Sequence, residues 1–124
     1  METILCDTNV LIELLKGNEE TACLLQEWEG ELCISAITAM ELYYGALNKK
    51  ELKMLERFVA QFEVIHLTEQ ISRKATSLVL RYAKSHGLDI PDSLIAATAT
   101  ESGCRLMTYN RKDFQFIEGL ELVL

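Results

Sequence analysis

With 124 residues, 49% of them hydrophobic and 25% charged, the chain has the composition of one ordinary globular domain, large enough to form a core without disulfides. A net charge of −7, from 12 basic and 19 acidic residues, argues against a protein whose main task is to hold nucleic acid electrostatically. No apolar run reaches the length of a bilayer span, and the start has neither the basic nor the apolar part of a signal peptide, so a cytoplasmic protein is expected.

Residues 3–6 are a β-branched and apolar run that stops at Asp7, and helical spacing follows at once. Val10/Leu14 and Leu11/Leu15 are i,i+4 pairs, with Gly17 as a stop. Asn18 reads as the N-cap of a second helix that has Glu19 and Glu20 in its first turn, Ala22, Leu25 and Trp28 on its face, and Gly30 at its end. A brief strand over 31–34 leads to Ser35, the cap of a third helix with Ile37, Met40, Tyr44 and Leu47 on one stripe. A fourth helix over 51–61 turns Leu52, Leu55, Phe58 and Val59 inward and Lys53, Glu56 and Arg57 outward.

Residues 63–67 form the third strand, and a long helix over 68–85 carries Ile71, Ala75, Leu78, Val79 and Tyr82 before Gly87 ends it. Pro91 in a first helical position opens a helix over 92–102 closed by Gly103, and strands follow over 105–108 and 121–124. Strands alternating with helices, without repeats or linkers, predict a three-layer α/β domain with a mostly parallel sheet. Cys6, Cys23, Cys33 and Cys104 lack metal-ligand spacing and read as small buried hydrophobes in a reducing compartment.

Four acids fall along one edge of such a sheet. Asp7 ends the first strand, Glu41 lies in the helix after the second, Asp92 opens a late helix and Asp113 follows the fourth strand. Each has a plainer account: Asp7 as an N-cap, Asp92 as a complement to the helix dipole, Asp113 as a turn residue. Glu41, between Met40 and Leu42 on a face with Ile37 and Gly45, is unusual unless something pairs it. Taken together, clustered carboxylates repel and are driven toward protonation, a penalty that a divalent cation removes. All-oxygen donors select Mg2+ or Mn2+, and such an ion serves phosphodiester hydrolysis by acidifying water and stabilising phosphoryl oxygens.

The stretches Asp7-Thr8-Asn9, Ser35-Ala36-Ile37-Thr38-Ala39-Met40-Glu41-Leu42-Tyr43-Tyr44-Gly45, Ile90-Pro91-Asp92-Ser93-Leu94-Ile95-Ala96-Ala97 and Thr108-Tyr109-Asn110-Arg111-Lys112-Asp113-Phe114 resemble the motifs of the PIN-domain family. The similarity runs in order over essentially the whole chain and is closest to the VapC-type toxin ribonucleases of type II toxin–antitoxin systems. It implies a single PIN domain over 1–124, a three-layer α/β/α architecture and a Mg2+- or Mn2+-dependent endoribonuclease. It further implies Asp7, Glu41 and Asp92 as the central metal-binding acids, with Asp113 in the fourth position and Asn110 as a polar helper. In those roles Asp7 and Asp92 are direct ligands, Glu41 ligates or positions the attacking water, and Asp113 holds a second metal or its hydration shell. Thr8, Asn9 and Thr108 are placed to orient a ligand, water or phosphate.

Arg111 and Lys112, next to Asp113, are placed to touch a phosphate of the RNA substrate. Lys49, Lys50, Lys53 and Arg57, and Arg73, Lys74, Arg81 and Lys84, read as solvated helix faces. Leu11, Leu14, Leu15, Leu24, Leu25 and Trp28 exceed what one buried face needs, and the resemblance implies a cognate antitoxin there and a homodimer, to which the Met54/Phe58 helix can contribute. An RNA-processing PIN nuclease without an antitoxin is the nearest alternative. A receiver-type signalling module shares the length and acidity but wants an acidic pair at the first strand end and an Asp after the third strand. Here Cys6 precedes Asp7, and the third strand ends in His66-Leu67-Thr68. A haloacid-dehalogenase-type phosphatase needs Asp-x-Asp, where this chain has Asn9.

Overall fold

A computed structural model describes residues 3–28 and 31–123. The elements in order are β1 (Ile4–Cys6), α1 (Thr8–Leu15), α2 (Glu19–Glu27), β2 (Leu32–Ser35), α3 (Ala36–Tyr44), α4 (Lys49–Val59), β3 (Glu63–Ile65), α5 (Glu69–His86), α6 (Ile90–Ser102), β4 (Arg105–Met107), a 3-10 turn (Arg111–Asp113) and β5 (Leu122–Val123). The strands form one sheet in the order β3-β2-β1-β4-β5, and every pairing is parallel. Receiver domains use the order 2-1-3-4-5, so the signalling alternative falls on topology.

Alternation along the strands sorts the core into two layers. Leu5, Cys33 and Leu106 face a cluster built with α5 and α6. Ile4, Cys6, Ile34 and Met107 face a second cluster built with α1, α2, α3 and α4. The result is a three-layer α/β/α fold. Ala96, Ala97 and Ala99 are fully buried on α6, and their small side chains let that helix lie close to the sheet and to α5. Among the described residues no helix is long and apolar enough to cross a membrane.

The helices start and stop where short-range chemistry directs. Asn18, Asn48 and Thr68 accept hydrogen bonds from Thr21, Glu51 and Ile71 backbone N–H groups at 2.9–3.1 Å. Gly87 and Gly103 terminate α5 and α6 in the left-handed conformation, with φ of 70° and 69°.

Several expectations are corrected. The α3 stripe faces the other way: Met40, Tyr44 and Leu47 are 55%, 94% and 85% exposed, while Ala36, Thr38, Ala39 and Leu42 are buried. Small residues allow α3 to approach the sheet, Leu42 and half-buried Ile37 also meet the core, and Met40, Tyr44 and Leu47 are left outside. On α2 the buried pair is Thr21 and Leu25, with Ala22 exposed. On α4 Leu52 is exposed, Leu55 and Val59 are buried, and the helix starts at Lys49 because Asn48 caps it. Strand β3 stops at Ile65, before His66 and Leu67. Cys23 is exposed, whereas Cys6, Cys33 and Cys104 are buried free thiols. The predicted helix end at Gly30 and the final strand residue Leu124 lie outside the described residues.

Candidate active site

The strand order reverses between β1 and β4, because the chain builds β2 and β3 on one side of β1 and β4 and β5 on the other. At such a switch point the loops leaving two adjacent strands diverge and open a crevice. Asp7, the residue after β1, sits in that crevice and is only 5% exposed. Its backbone N–H donates to the Met107 carbonyl at 2.9 Å, tying the two strand ends together.

Asp7 is also the N-cap of α1, in keeping with its residue type at a helix start. Its Oδ1 accepts from the Thr8 N–H at 2.8 Å and its Oδ2 from the Thr108 hydroxyl at 2.8 Å. Burial raises its pKa most, the two hydrogen bonds lower it, and the charges of Glu41 and Asp113 raise it. Thr108 is fully buried and accepts from the Asn110 N–H at 3.0 Å and from Asn9 Nδ2 at 3.4 Å. Removing the Thr108 hydroxyl strips a buried carboxylate of one donor. We therefore expect Thr108→Val to cost about 1–3 kcal/mol. That loss should grow as pH rises, since only ionised Asp7 needs the donor; urea titrations at pH 5 and pH 8 compare the two.

Glu41 reaches the crevice from α3. It is exposed, not embedded in an apolar stripe, and its partner is Thr8, whose hydroxyl donates to Glu41 Oε1 at 2.7 Å. Thr8 also lies 3.0 Å from the hydroxyl of buried Thr38. A hydroxyl has one proton, so with Thr8 committed to the carboxylate, Thr38 is the donor in that second contact.

Asp92 enters from the first turn of α6, where the cap is Asp89 and not the residue before Asp92. Asp89 Oδ1 accepts from the Asp92 N–H at 2.8 Å, Ile90 takes the first helical position and Pro91 the second. Asp92 is half-buried with its pKa raised to about 7, first by burial, then by Asp89, Asp7, Asp113 and Glu41. Asp89 is the acid that sequence reasoning missed; an Asp three residues before another at a Pro-opened helix start was the available signal.

Asp113 closes the 3-10 turn after β4, exposed, and its charge bears on both Asp7 and Asp92. The structure thus draws Asp7, Glu41, Asp92 and Asp113 toward one place from four parts of the chain. Thr8 and Thr108 both donate to Asp7, and Asn9 donates to Thr108, so the three are joined to the site by hydrogen bonds. Asn110, Arg111 and Lys112 are exposed at its edge. Beside the acids, Cys6 is held protonated, with its pKa pushed up to about 12 by burial and then by Asp7.

Among the described residues, no group of three or more Asp, Glu, His or Cys side chains closes on one point in the manner of a finished metal site. The donors are nonetheless all oxygen, and after burial the neighbouring carboxylates add to the raised pKa values of Asp7 and Asp92, a repulsion that a hard divalent cation would relieve. The donor chemistry fits Mg2+ or Mn2+.

Comparison with known proteins agrees with this architecture. The sequence profile of the PIN domain matches residues 4–119. Ribonuclease VapC10 of Mycobacterium tuberculosis is 34% identical over 125 residues, covering 95% of this chain and 90% of that protein. Among solved structures, a toxin–antitoxin complex from Klebsiella pneumoniae contains a chain with a TM-score of 0.81 and 32% identity, covering 95% of both chains. A chain of the DNA-bound VapBC complex of Salmonella typhimurium has a TM-score of 0.87 and 26% identity, covering 99% of this chain and 98% of that one.

Proposed function

The chain belongs to the PIN-domain family and to its VapC type, and from that premise we propose that it is a Mg2+- or Mn2+-dependent endoribonuclease, the toxin of a toxin–antitoxin pair. The observation that carries the reading is the gathering of Asp7, Glu41, Asp92 and Asp113 at the switch point of a parallel sheet.

In this reading Asp7 and Asp92 hold the primary cation, and Asp113 holds a second cation or its hydration shell. A divalent ion bound there would acidify water and neutralise charge building on a phosphodiester. Glu41, oriented by the Thr8 hydroxyl, positions the water that attacks and is placed to accept its proton. Thr108 and the Thr8 N–H fix the Asp7 carboxylate from both sides, which keeps the cation-holding oxygens from turning away. Arg111 and Lys112 engage the RNA backbone at the edge of the crevice.

Cleavage of an RNA panel in Mg2+, in Mn2+ or in EDTA tests the proposal. We expect cutting with either ion, none in chelator, and recovery on adding the ion back. Undiminished cutting in chelator would overturn the metal requirement.

For the partner, we propose an antitoxin segment laid against the first two helices. Leu11 and Leu25 belong to the core, and half-buried Leu14, Leu32 and Phe62 join the edge of Leu25 in lining a cleft of about 630 Å³ beside α2. Met54, 40% exposed on α4 near half-buried Phe58, is available to a homodimer contact. A small antitoxin-like gene immediately upstream separates this reading from an RNA-processing nuclease that works alone.

A further inference from the structure

We propose that the cleft between α1, the start of α2 and the segment after β4 is a nucleobase subsite, taking a base of the RNA next to the scissile phosphate that carries an amino group on its pairing edge. This rests on the ribonuclease reading. The cleft encloses about 490 Å³ and is lined by Asn9, Glu13, Lys16, Glu20, Tyr109 and Asn110, among others. That is within the range of small-molecule sites and ample for one base.

Tyr109 is the platform. It is 43% exposed, yet it is held at both ends: its hydroxyl lies 2.6 Å from the hydroxyl of fully buried Thr21, and its backbone N–H donates to Asn9 Oδ1 at 3.3 Å. A tyrosine anchored at its polar tip and open at its ring is suited to stacking, since every base offers a π-face and the ring loses little freedom.

The hydrogen-bonding side of the cleft is rich in acceptors. Glu20 supplies an exposed carboxylate, while Glu13 accepts from Lys16 at 3.4 Å and from Asn18 Nδ2 at 3.4 Å and so occupies the two donors of the cleft nearest to it. Asn110 makes no capping bond with its side chain, so its amide faces no competing use in the 3-10 turn. Acceptors favour the amino groups of adenine, cytosine and guanine over the paired carbonyls of uracil. The cleft is also wired to the acids. Asn9 Nδ2 donates to the Thr108 hydroxyl at 3.4 Å, which donates to Asp7 at 2.8 Å, so a base held here sets the position of the adjoining phosphate.

The test is binding of non-cleavable 2′-O-methyl hexanucleotides of adenine, cytosine or uracil to the full chain, read by fluorescence polarisation beside cleavage of a sequence-randomised RNA. The adenine and cytosine hexamers should bind about fivefold more tightly than the uracil one, the worth of one hydrogen bond. Tyr109→Ala should weaken binding about tenfold or more, as loss of one stacking platform does, while Tyr109→Phe keeps the preference. Glu20→Gln, a change at an exposed position in the first turn of α2, should narrow the gap to uracil. Equal binding of all three hexamers to the wild type overturns the subsite, as does a folded Tyr109→Ala protein that binds and cuts with the wild-type base profile; a protein segment occupying the cleft gives that second result. A wild type that binds with the stated preference yet cuts no RNA removes the ribonuclease reading and leaves the subsite standing.

Discussion

Asp7→Asn is expected to lower RNA cleavage by about 10²–10³-fold or more, the scale of removing a key electrostatic group, while leaving the fold intact. The two roles of Asp7 make this substitution informative. Asparagine keeps the Oδ1 that caps α1, and although its amide meets a Thr108 oxygen that already accepts from Asn9 and Asn110, the loss is confined to that one hydrogen bond and the fold survives. What it removes is the negative charge, and with it the ability to hold a cation. Asp7→Ala is the contrasting variant: it loses the cap and leaves the Thr108 hydroxyl without its acceptor, costing about 1–2 kcal/mol in addition to activity. Cleavage assays across a Mg2+ titration, paired with urea melts of both variants, separate the roles. Full activity of Asp7→Asn at any Mg2+ concentration contradicts the metal role, whatever the melts show.

Asp92→Asn should abolish cleavage to a similar degree and, in the presence of chelator, make the protein more stable at neutral pH. The sign follows from its pKa, raised in the folded state to about 7 from an ordinary 3.8 by burial and by neighbouring carboxylates. Between those values the folded state binds a proton that the unfolded state has released, so stability falls as pH rises. The contribution is fully present below about pH 3.8 and is lost by the time pH has passed about 7. Asparagine carries no such penalty. Allowing for solvent screening at a half-buried group, the gain at pH 8 is on the order of 1–2 kcal/mol. For a domain of this size that is a rise in Tm of about 4–8 °C. Thermal melts of wild type and variant at pH 4 and pH 8 check the prediction, with little difference expected at the lower pH. Adding Mg2+ or Mn2+ at pH 8 should then raise the wild-type Tm and leave that of Asp92→Asn nearly unmoved. A variant no more stable than wild type at pH 8 in chelator would show that repulsion at Asp92 is already relieved by other means.

This conflict between stability and function at one carboxylate illustrates why the acids could be suspected before their geometry was known. Asp7 at a strand end, Asp92 in a Pro-opened first turn and Asp113 after a strand are each local features, written in a few consecutive residues. Caps, glycine stops and two-residue alternation are equally local, which is why the order of strands and helices was readable along the chain. Element ends moved by one or two residues where a capping side chain competed with periodicity, as Asn48 does at α4 and Asp89 at α6.

The exposed side of α3 was not readable in that way. Periodicity finds that Ile37, Met40 and Tyr44 share a face but not what that face meets, and here the sheet and α1 accept the small residues instead. Glu41 changes meaning accordingly, from a carboxylate trapped among apolar neighbours to an exposed one held by Thr8, which lies 33 residues earlier. Still longer separations, 101 and 88 residues, hide the Asp7–Thr108 bond and the Thr21–Tyr109 anchor. Residue types and short spacings are enough to specify helices, strands and a roster of acids, because capping and side-chain alternation act over a few residues. Which of those acids share a field, and which hydroxyl holds each in place, depends on strands β1 and β4 lying side by side across a switch in direction of the sheet. That adjacency exists only once the whole chain has packed.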